Sequence, residues 1–337
     1  PEWVKEWIEK RQEKEEKKTE SAEKPVDEKA QAKRADARAK KVSQGVEEIS
    51  LWIKDLIRNG LISVPEKAYS FWQDPAARMV DAQAPGLSGM IRGLAGINYF
   101  KEGWQGDLLH KLVQIYLVTE GYKKIGQLPE QLQNEVKSLI GWSQSQEELK
   151  NSIGIKDKWL VMSKQSEQQD NLFIQTHWLY GENSLRHALV LNFYHKSQPT
   201  DLGLIPGTAV DGEIVFYPGS YQLRAIVKER KATYPIPEPS TFLPFLSIQH
   251  QFTEVLTQSP WVDRVPAFVE KVVPHQIDNK WFLIDRENSS IEIDKTFTGT
   301  WKLMAIAGGK PINVYGLYSK NSFSPLVIWQ ESRYLQL

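Results

Sequence analysis

The sequence predicts an α+β fold in which helices come first and a mostly antiparallel β region follows. Two changes of pattern support this prediction. A highly charged segment gives way near residue 42 to apolar residues three and four apart, and after residue 151 the apolar period becomes two. We therefore divide the chain into a linker at 1–41, an all-α domain at 42–151 and a β-rich domain at 152–337. The β-rich domain can be further split into two subunits near 235–260.

The first 41 residues are of low complexity and carry charge at 24 positions, 13 of them basic and 11 acidic. Trp3, Val4, Trp7 and Ile8 form one short apolar face on a helix, and Pro25 interrupts the pattern. Segments in which basic and acidic residues balance usually remain solvated. We therefore interpret this segment as a charged helical or disordered linker, in preference to a binding element.

Five or so amphipathic helices are predicted between residues 42 and 151. Asp74–Pro75 predicts a helix start, because Asp caps a helix and Pro fits its first turn, and Pro85–Gly86 predicts its end. Met79 and Val80 are expected in the core. The predicted helices cover Val46–Ile57 with a cap at Asn59–Gly60, Asp74–Ala84, the surroundings of Met90–Leu94, Leu108–Gly121 and Pro129–Ile140.

In the β-rich region, segments rich in β-branched and aromatic residues are separated by polar turns, which predicts strands. Tyr217–Ser220 is a predicted turn, and one inserted helix is predicted from about Thr241 to Gln258. The predicted strands are WLVMS, NLFIQTHWLY, HALVLNFY, GEIVFY and LRAIVKER before that helix, and FVEKVV, KWFLID, SIEI, WKLMAIA, INVYGLYS and PLVIWQ after it.

Composition argues against several classes of protein. The 42 basic residues balance 42 acidic ones, so no net charge draws the chain to nucleic acid or to an anionic membrane. No apolar stretch approaches the ~18–20 residues of a membrane helix. The absence of cysteine excludes disulfides, thiolate catalysis and Cys-bound zinc in this chain. The N-terminal segment has no signal-peptide core. Because the sequence begins at Pro1 and not at Met, we expect a fragment or a trimmed product.

The six histidines show no metal-ligand spacing, and GxSxG, Walker and GxGxxG motifs are absent. His177 and His187 lie on neighbouring predicted strands, but no carboxylate is placed to act as a third ligand. We therefore predict no metal and no cofactor here. His177, Glu182 and His187 are a candidate acid–base pocket. The alternative is ordinary strand histidines beside an aromatic core face made by Trp178 and Tyr180.

The most distinctive stretch, PAARMVDAQAPGLSGMIRGLAG, contains the candidate binding residues Arg78, Asp81, Gln83 and Arg92. Its small residues allow close approach of a neighbour, and the planar fork of arginine can bind a carboxylate through two hydrogen bonds. The structural alternative is internal: the same residues tie two helices of the domain together, with Arg78 and Asp81, three residues apart, paired on the helix surface as a local brace.

The same stretch, preceded by GVEEISLWIKDLIRNGL, closely resembles the helical region of bacterial SWIM zinc-finger family proteins. Later segments are similar in the same order: THWLYGENSLRHALVLNFYH, IPGTAVDGEIVFYPGSYQLRAIV, KWFLIDRE and WKLMAIAGGKPINVYGLY. The resemblance covers essentially the whole chain. The family's Cys-x-Cys…Cys-x-His zinc motif is absent because the chain has no cysteine, so no metal ligand carries over to any residue here.

The resemblance implies a cytoplasmic, non-enzymatic interaction or scaffold protein whose zinc is bound only by a motif upstream of this chain. It also implies protein partners, a MoxR-type AAA+ ATPase and a von Willebrand factor A-domain protein, and nucleic acid or protein bound through the zinc module. Two alternatives stay open. One is a hydrolase or transferase that uses His177, Glu182 or His187. The other is nucleic-acid binding by this chain, which its zero net charge disfavours.

Overall fold

The computed structural model describes residues 28–67, 69–142, 144–169, 172–195, 202–320 and 322–337. The chain divides into two compact units, Pro1–Lys123 and Lys124–Leu337, and each is described by itself. The predicted domain boundaries after residues 41 and 151 stay predictions. The apolar face predicted from Trp3 to Ile8 and the interruption at Pro25 lie outside the described residues.

The described part of the first unit is helical. Charged residues at the start of its first helix are exposed, and the core begins at Val42, which is fully buried. This helix ends at the predicted cap, because Gly60 has a φ of 81° that suits glycine. The helices are α1 (Glu28–Arg58), α2 (Ser70–Asp81), α3 (Pro85–Leu94) and α4 (Trp104–Lys123), with a short 3₁₀ turn at Val64–Glu66.

Helix α2 begins at Ser70, one turn earlier than predicted, so Pro75 lies inside it. Aromatic packing provides a physical reason. The ring centroids of Phe71 and Trp72 lie 5.7 and 6.0 Å from that of Trp52 on α1. These contacts stabilise the added turn, although proline removes one backbone hydrogen bond. The predicted start at Pro75 is therefore wrong.

The second proline of this region also has a different role from the predicted one. Pro85 does not end a helix but occupies the first turn of α3, where its fixed φ and missing N–H do no harm. Met79 is buried as predicted, whereas Val80 is 47% exposed and lies outside the core. The prediction that both are core residues is therefore half wrong.

The second unit combines helices with two sheets in its described residues. The helices are α5 (Glu130–Ile140), α6 (Gln146–Lys150), α7 (Phe245–Gln258) and α8 (Thr300–Ala307), with a 3₁₀ turn at Ile125–Gln127. The strands are β1 (Ile155–Gln169), β2 (Leu172–Gly181), β3 (His187–His195), β4 (Thr208–Phe216), β5 (Arg224–Pro235), β6 (Val265–Ile277), β7 (Lys280–Ile284), β8 (Ser290–Glu292), β9 (Ile312–Tyr318), β10 (Phe323–Gln330) and β11 (Arg333–Gln336).

The first five strands form a closed barrel in the order β1-β2-β3-β5-β4. Its strands pair antiparallel except for β3 and β5, which run parallel. Residues that alternate along β2 face opposite ways: Leu179 belongs to the barrel core, whereas Trp178 and Tyr180 face outward. The predicted aromatic face of this strand is therefore confirmed.

The second sheet has the order β11-β10-β9-β6-β7-β8 and is antiparallel throughout. It shares an aromatic core with the outer face of the barrel. The central side chains of this shared core are Trp178 and Tyr180 from the barrel and Phe268, Tyr315 and Trp329 from the second sheet.

The segment WKLMAIA forms helix α8 and not the predicted strand. Leu303 and Ala307, four residues apart, are buried, while Trp301 is 71% exposed, which is the burial pattern of a helix. Gly308 ends the helix in the left-handed conformation. The described part of the β-rich region thus holds two inserted helices, α7 and α8, and not the one that was predicted. The predicted α+β fold class is confirmed.

Candidate functional site

Arg78 contacts the neighbouring helix α1 and not Asp81. Its Nη1 donates a hydrogen bond to Oε1 of Glu48 at 2.6 Å. A Cβ added at Gly45 would lie only 2.5 Å from Cβ of Ala82, so α1 and α2 pack closely there. Glu48 is one turn beyond Gly45 and Arg78 is one turn before Ala82, so this packing brings them together. Arg78 thus ties α1 and α2 together, as the structural alternative proposes, but it does so through Glu48 and not through a local pair with Asp81.

The other candidate residues of the helical unit are exposed. Asp81 lies in the last turn of α2, and Arg92 lies in the last turn of α3. Gln83 lies between the helices with a φ of 59°, and its backbone oxygen accepts a hydrogen bond from Arg38 at 3.5 Å. The side chains of Asp81, Gln83 and Arg92 are therefore accessible on the surface, whereas Arg78 has an ion-pair partner within the chain.

Helix α4 is apolar on two sides, a feature that sequence analysis did not single out. One side contributes Leu108, Leu112, Ile115 and Val118 to the core. On the other side, Leu109, Val113 and Leu117 recur every four residues and are 43%, 42% and 38% exposed. The sequence signal was present in the paired apolar residues 108–109, 112–113 and 116–117, which leave little room for a polar face.

Charged and polar groups lie beside this apolar side where α4 meets α1. Lys123 forms ion pairs with Glu47 at 3.0 Å and with Glu120 at 3.1 Å. The hydrogen bond from Lys123 lowers the pKa of Glu120. Leu51 is 52% exposed and lies on the same side of α1 as Glu47. We call the set Leu51, Leu109, Val113 and Leu117 the helical apolar surface.

The structure does not bring His177, Glu182 and His187 together. His177 is fully buried and shares the barrel-core face of β2 with Leu179. Glu182 lies on the surface, where its carboxylate is 3.2 Å from Nζ of Lys158. His187 is half-buried on the outer face of the barrel, with its ring centroid 5.0, 5.6 and 5.9 Å from those of Tyr180, Phe268 and Tyr315.

Among the residues that the structure describes, no group of three or more histidine, aspartate or glutamate side chains could hold a metal ion. None of the described helices combines the length and the apolar character needed to cross a bilayer.

Comparison with known families identifies part of the chain. Residues 37–140 match the family model of the SWIM-associated four-helix bundle domain. The match begins within α1 and ends with α5, and it includes the four candidate residues and α4. It confirms the resemblance over these residues and supports a SWIM-zinc-finger-associated protein region there. No curated protein and no solved structure matches the chain.

Proposed function

We propose that this SWIM-associated chain is a non-enzymatic interaction or scaffold protein that binds a protein partner through its helical unit. The observation that carries the proposal is the helical apolar surface. Four aliphatic side chains stay exposed on two adjacent helices whose other sides are well buried. Contiguous exposed apolar side chains with a polar border are typical of protein–protein contacts.

The partner that we propose is a MoxR-type AAA+ ATPase acting with a von Willebrand factor A-domain protein in the cytoplasm, as the family resemblance implies. The ion pairs of Lys123 with Glu47 and Glu120 border the apolar side chains. Such polar borders contribute to the choice of partner and to the association rate more than to affinity. The exposed Asp81, Gln83 and Arg92 form a second candidate contact region in the same unit.

Zinc and nucleic-acid binding are proposed only for a zinc module of the family type, because this chain has no cysteine. A hydrolase or transferase gains no support from His177, Glu182 and His187, since their surroundings differ. The interaction role is therefore the proposed function.

The decisive experiment replaces the exposed apolar side chains by polar ones. We expect the double variant Val113→Ser/Leu117→Ser to bind a purified MoxR-type ATPase at least about tenfold more weakly, with nearly unchanged melting temperature. His110→Ser, an exposed change on the same helix, is the matched control and should bind like the unmodified chain. Equal binding by the double variant and the control would contradict the proposal.

A second experiment separates binding from stability in the polar region. Arg92→Ala and Gln83→Asn should weaken partner binding without lowering the melting temperature, because their side chains are exposed and Asn tolerates a positive φ. Arg78→Ala also removes the contact with Glu48, so it serves as the structural comparison. If only Arg78→Ala weakens partner binding, and it also lowers the melting temperature, these residues stabilise the helical unit and do not form a contact region for a partner.

A further inference from the structure

The parallel strands β3 and β5 begin at the same end of the barrel. The backbone N–H of Leu189 in β3 donates a hydrogen bond to the oxygen of Leu223 at 2.7 Å. Residues at the start of β3 and just before β5 therefore meet at this end. Nη2 of Arg186 donates a hydrogen bond to Oε1 of Gln222 at 2.9 Å, which joins the two segments.

Two adjoining cavities open beside these residues. The first, of about 470 Å³, is lined mainly by polar side chains such as Arg186, Gln222 and Ser220. The second, of about 400 Å³, is lined largely by apolar and aromatic side chains, among them Val255 and Phe268. Both are lined by Leu185, His187, Tyr221 and Gln258. Each volume falls in the range of small-molecule sites.

Arg186 brings an uncompensated positive charge to the first cavity. Its guanidinium lies 4.2 Å from the ring centroid of Phe216, and its hydrogen bond goes to a neutral amide. Within the described residues, no carboxylate lies within 4.0 Å of it. Burial lowers the pKa of Arg186, yet a guanidinium keeps its charge at neutral pH. Its remaining donors are suited to an anion.

Polar atoms without a protein partner lie beside this charge. Nδ1 of His187 and Oγ of Ser220 are enclosed and have no hydrogen-bond partner among the described residues, and both residues line the first cavity. The hydroxyl of Tyr315, a fully buried residue stacked on His187, also has none. Buried polar atoms in folded proteins are nearly always paired. Tyr315 lines neither cavity, so only the His187 and Ser220 atoms, which border the first cavity, point to polar atoms of a ligand.

The mouth of the cavities carries a backbone feature that bulky residues seldom adopt. Leu185, which lines both cavities, has a φ of 56° and is 59% exposed. A left-handed conformation at a branched side chain is strained, and such strain is concentrated at functional sites. The turn thus holds an apolar side chain at the entrance.

We propose that the two cavities bind a small monocarboxylate with an apolar body. Its carboxylate would accept hydrogen bonds from Arg186, and its apolar part would lie against Val255 and Phe268. Ser220 is not assigned to the carboxylate, because its backbone N–H donates to Oε2 of Glu135 at 3.1 Å. Glu254 lines the second cavity and repels a second acidic group, which favours one carboxylate over two. This site lies in the second unit and does not depend on the proposed partner surface of the first.

The first test is calorimetric titration of the full chain with 3-phenylpropionate, 3-phenylpropanamide, succinate and inorganic phosphate. The monocarboxylate should bind at least about tenfold more tightly than the neutral amide, because only the carboxylate can pair with the guanidinium. It should also bind more tightly than succinate or phosphate. Equal binding of acid and amide, tighter binding of phosphate, or no binding of the acid at millimolar concentration would overturn the proposal.

Variants then locate the site. Arg186→Gln should weaken 3-phenylpropionate binding at least about tenfold, whereas Arg224→Gln should leave it unchanged. Arg224 is the matched control, since its guanidinium also lies over an aromatic ring, that of Tyr217, at 4.8 Å, but lines neither cavity. Equal effects of the two variants would overturn the assignment.

Two further variants keep the test decisive if Arg186→Gln fails to fold, as judged by circular dichroism. Arg186→Lys keeps the charge but loses the planar fork, so weaker but measurable binding is expected. Leu185→Gly relieves the positive φ and removes the side chain at the mouth. It should weaken binding while the melting temperature stays similar. If both variants bind like the unmodified chain, the site is not at this cavity.

Discussion

At their candidate sites, the helical and the β-rich units leave opposite kinds of groups without protein partners. In the helical unit, exposed polar groups such as Arg78 and Lys123 have ion-pair partners, while Val113 and other apolar side chains face water. In the β-rich unit, the exposed charge Glu182 is also paired, but polar atoms of His187 and Ser220 are enclosed without a partner. The first situation suits a protein surface and the second a small molecule.

The difference follows from the geometry of the two kinds of element. A helix packed against one layer buries one side, so α4 shows its second apolar side outward. A strand between a barrel core and a second sheet buries both faces, as β2 does with Leu179 and Trp178. Polar residues at the ends of such strands can then become enclosed together.

Phe268→Ala should cause the largest loss of stability. Phe268 is buried between the barrel and the second sheet and contacts the rings of Tyr180 and Tyr315, each at a centroid distance of 4.7 Å. We expect the free energy of unfolding to fall by about 3–5 kcal/mol in urea denaturation. Ile277→Ala, at a half-exposed position of the same strand, should cost below about 1 kcal/mol. Similar losses for both would show that the shared aromatic core is not tightly packed.

Gly45→Ala should destabilise the helical unit by about 1–3 kcal/mol, because the added Cβ would overlap Ala82 and force α1 away from α2. Gly89→Ala on α3 is the matched control. No atom lies within 4 Å of its added Cβ, so the better helix propensity should stabilise the unit by about 0.5–1 kcal/mol. Thermal and urea unfolding measure both. Stabilisation by Gly45→Ala would contradict the close approach of the helices.

The stability of the β-rich unit should depend on pH through His187. Burial lowers the pKa of His187 to about 3, from 6.5 in the unfolded chain. Between these values the unfolded chain binds the proton and the folded chain does not, so stability is full above pH 6.5 and falls as the pH decreases. We expect this group to contribute a loss of about 1–2 kcal/mol between pH 6.5 and pH 5.

The test of this pH dependence is its removal by substitution. His187→Phe keeps an aromatic ring beside Tyr315 but cannot titrate, so its unfolding free energy should change less over this range. The unmodified chain, unfolded over the same pH range, is the control. If His187→Phe retains the full slope, the acid sensitivity comes from another group.

The sequence pattern alone predicts the fold class and most elements, because apolar periodicity is a local signal. The prediction fails where contacts between residues that are far apart in the sequence determine the secondary structure. Phe71 and Trp72 extend α2 past Pro75 by packing on Trp52, and WKLMAIA, a short apolar run, is equally compatible with strand and helix. Only the burial of Leu303 and Ala307 in the folded chain shows that this segment is a helix.

The candidate sites were harder to predict for the same reason. His187 belongs to a cavity, but with Arg186 and Ser220 and not with His177 and Glu182. Arg186 and Ser220 line one cavity because β3 and β5 are parallel. This pairing joins strands that are not consecutive, and no short-range pattern in the sequence predicts it. The partner of Arg78 likewise lies 30 residues away in the sequence.

The smallest effect is expected at the ion pair of Arg78 with Glu48. The two side chains are 58% and 48% exposed, so water competes for both and the coupling should be below about 1 kcal/mol. A double-mutant cycle with Arg78→Ala and Glu48→Ala measures it, and a cycle with Arg78→Ala and Asp81→Ala, the pairing predicted from sequence, is the control. The first coupling should be favourable and decrease as salt is added, because exposed charges are screened, and the second should be close to zero. A larger coupling with Asp81 would show that the close packing of α1 at Gly45 does not determine the partner of Arg78 in solution.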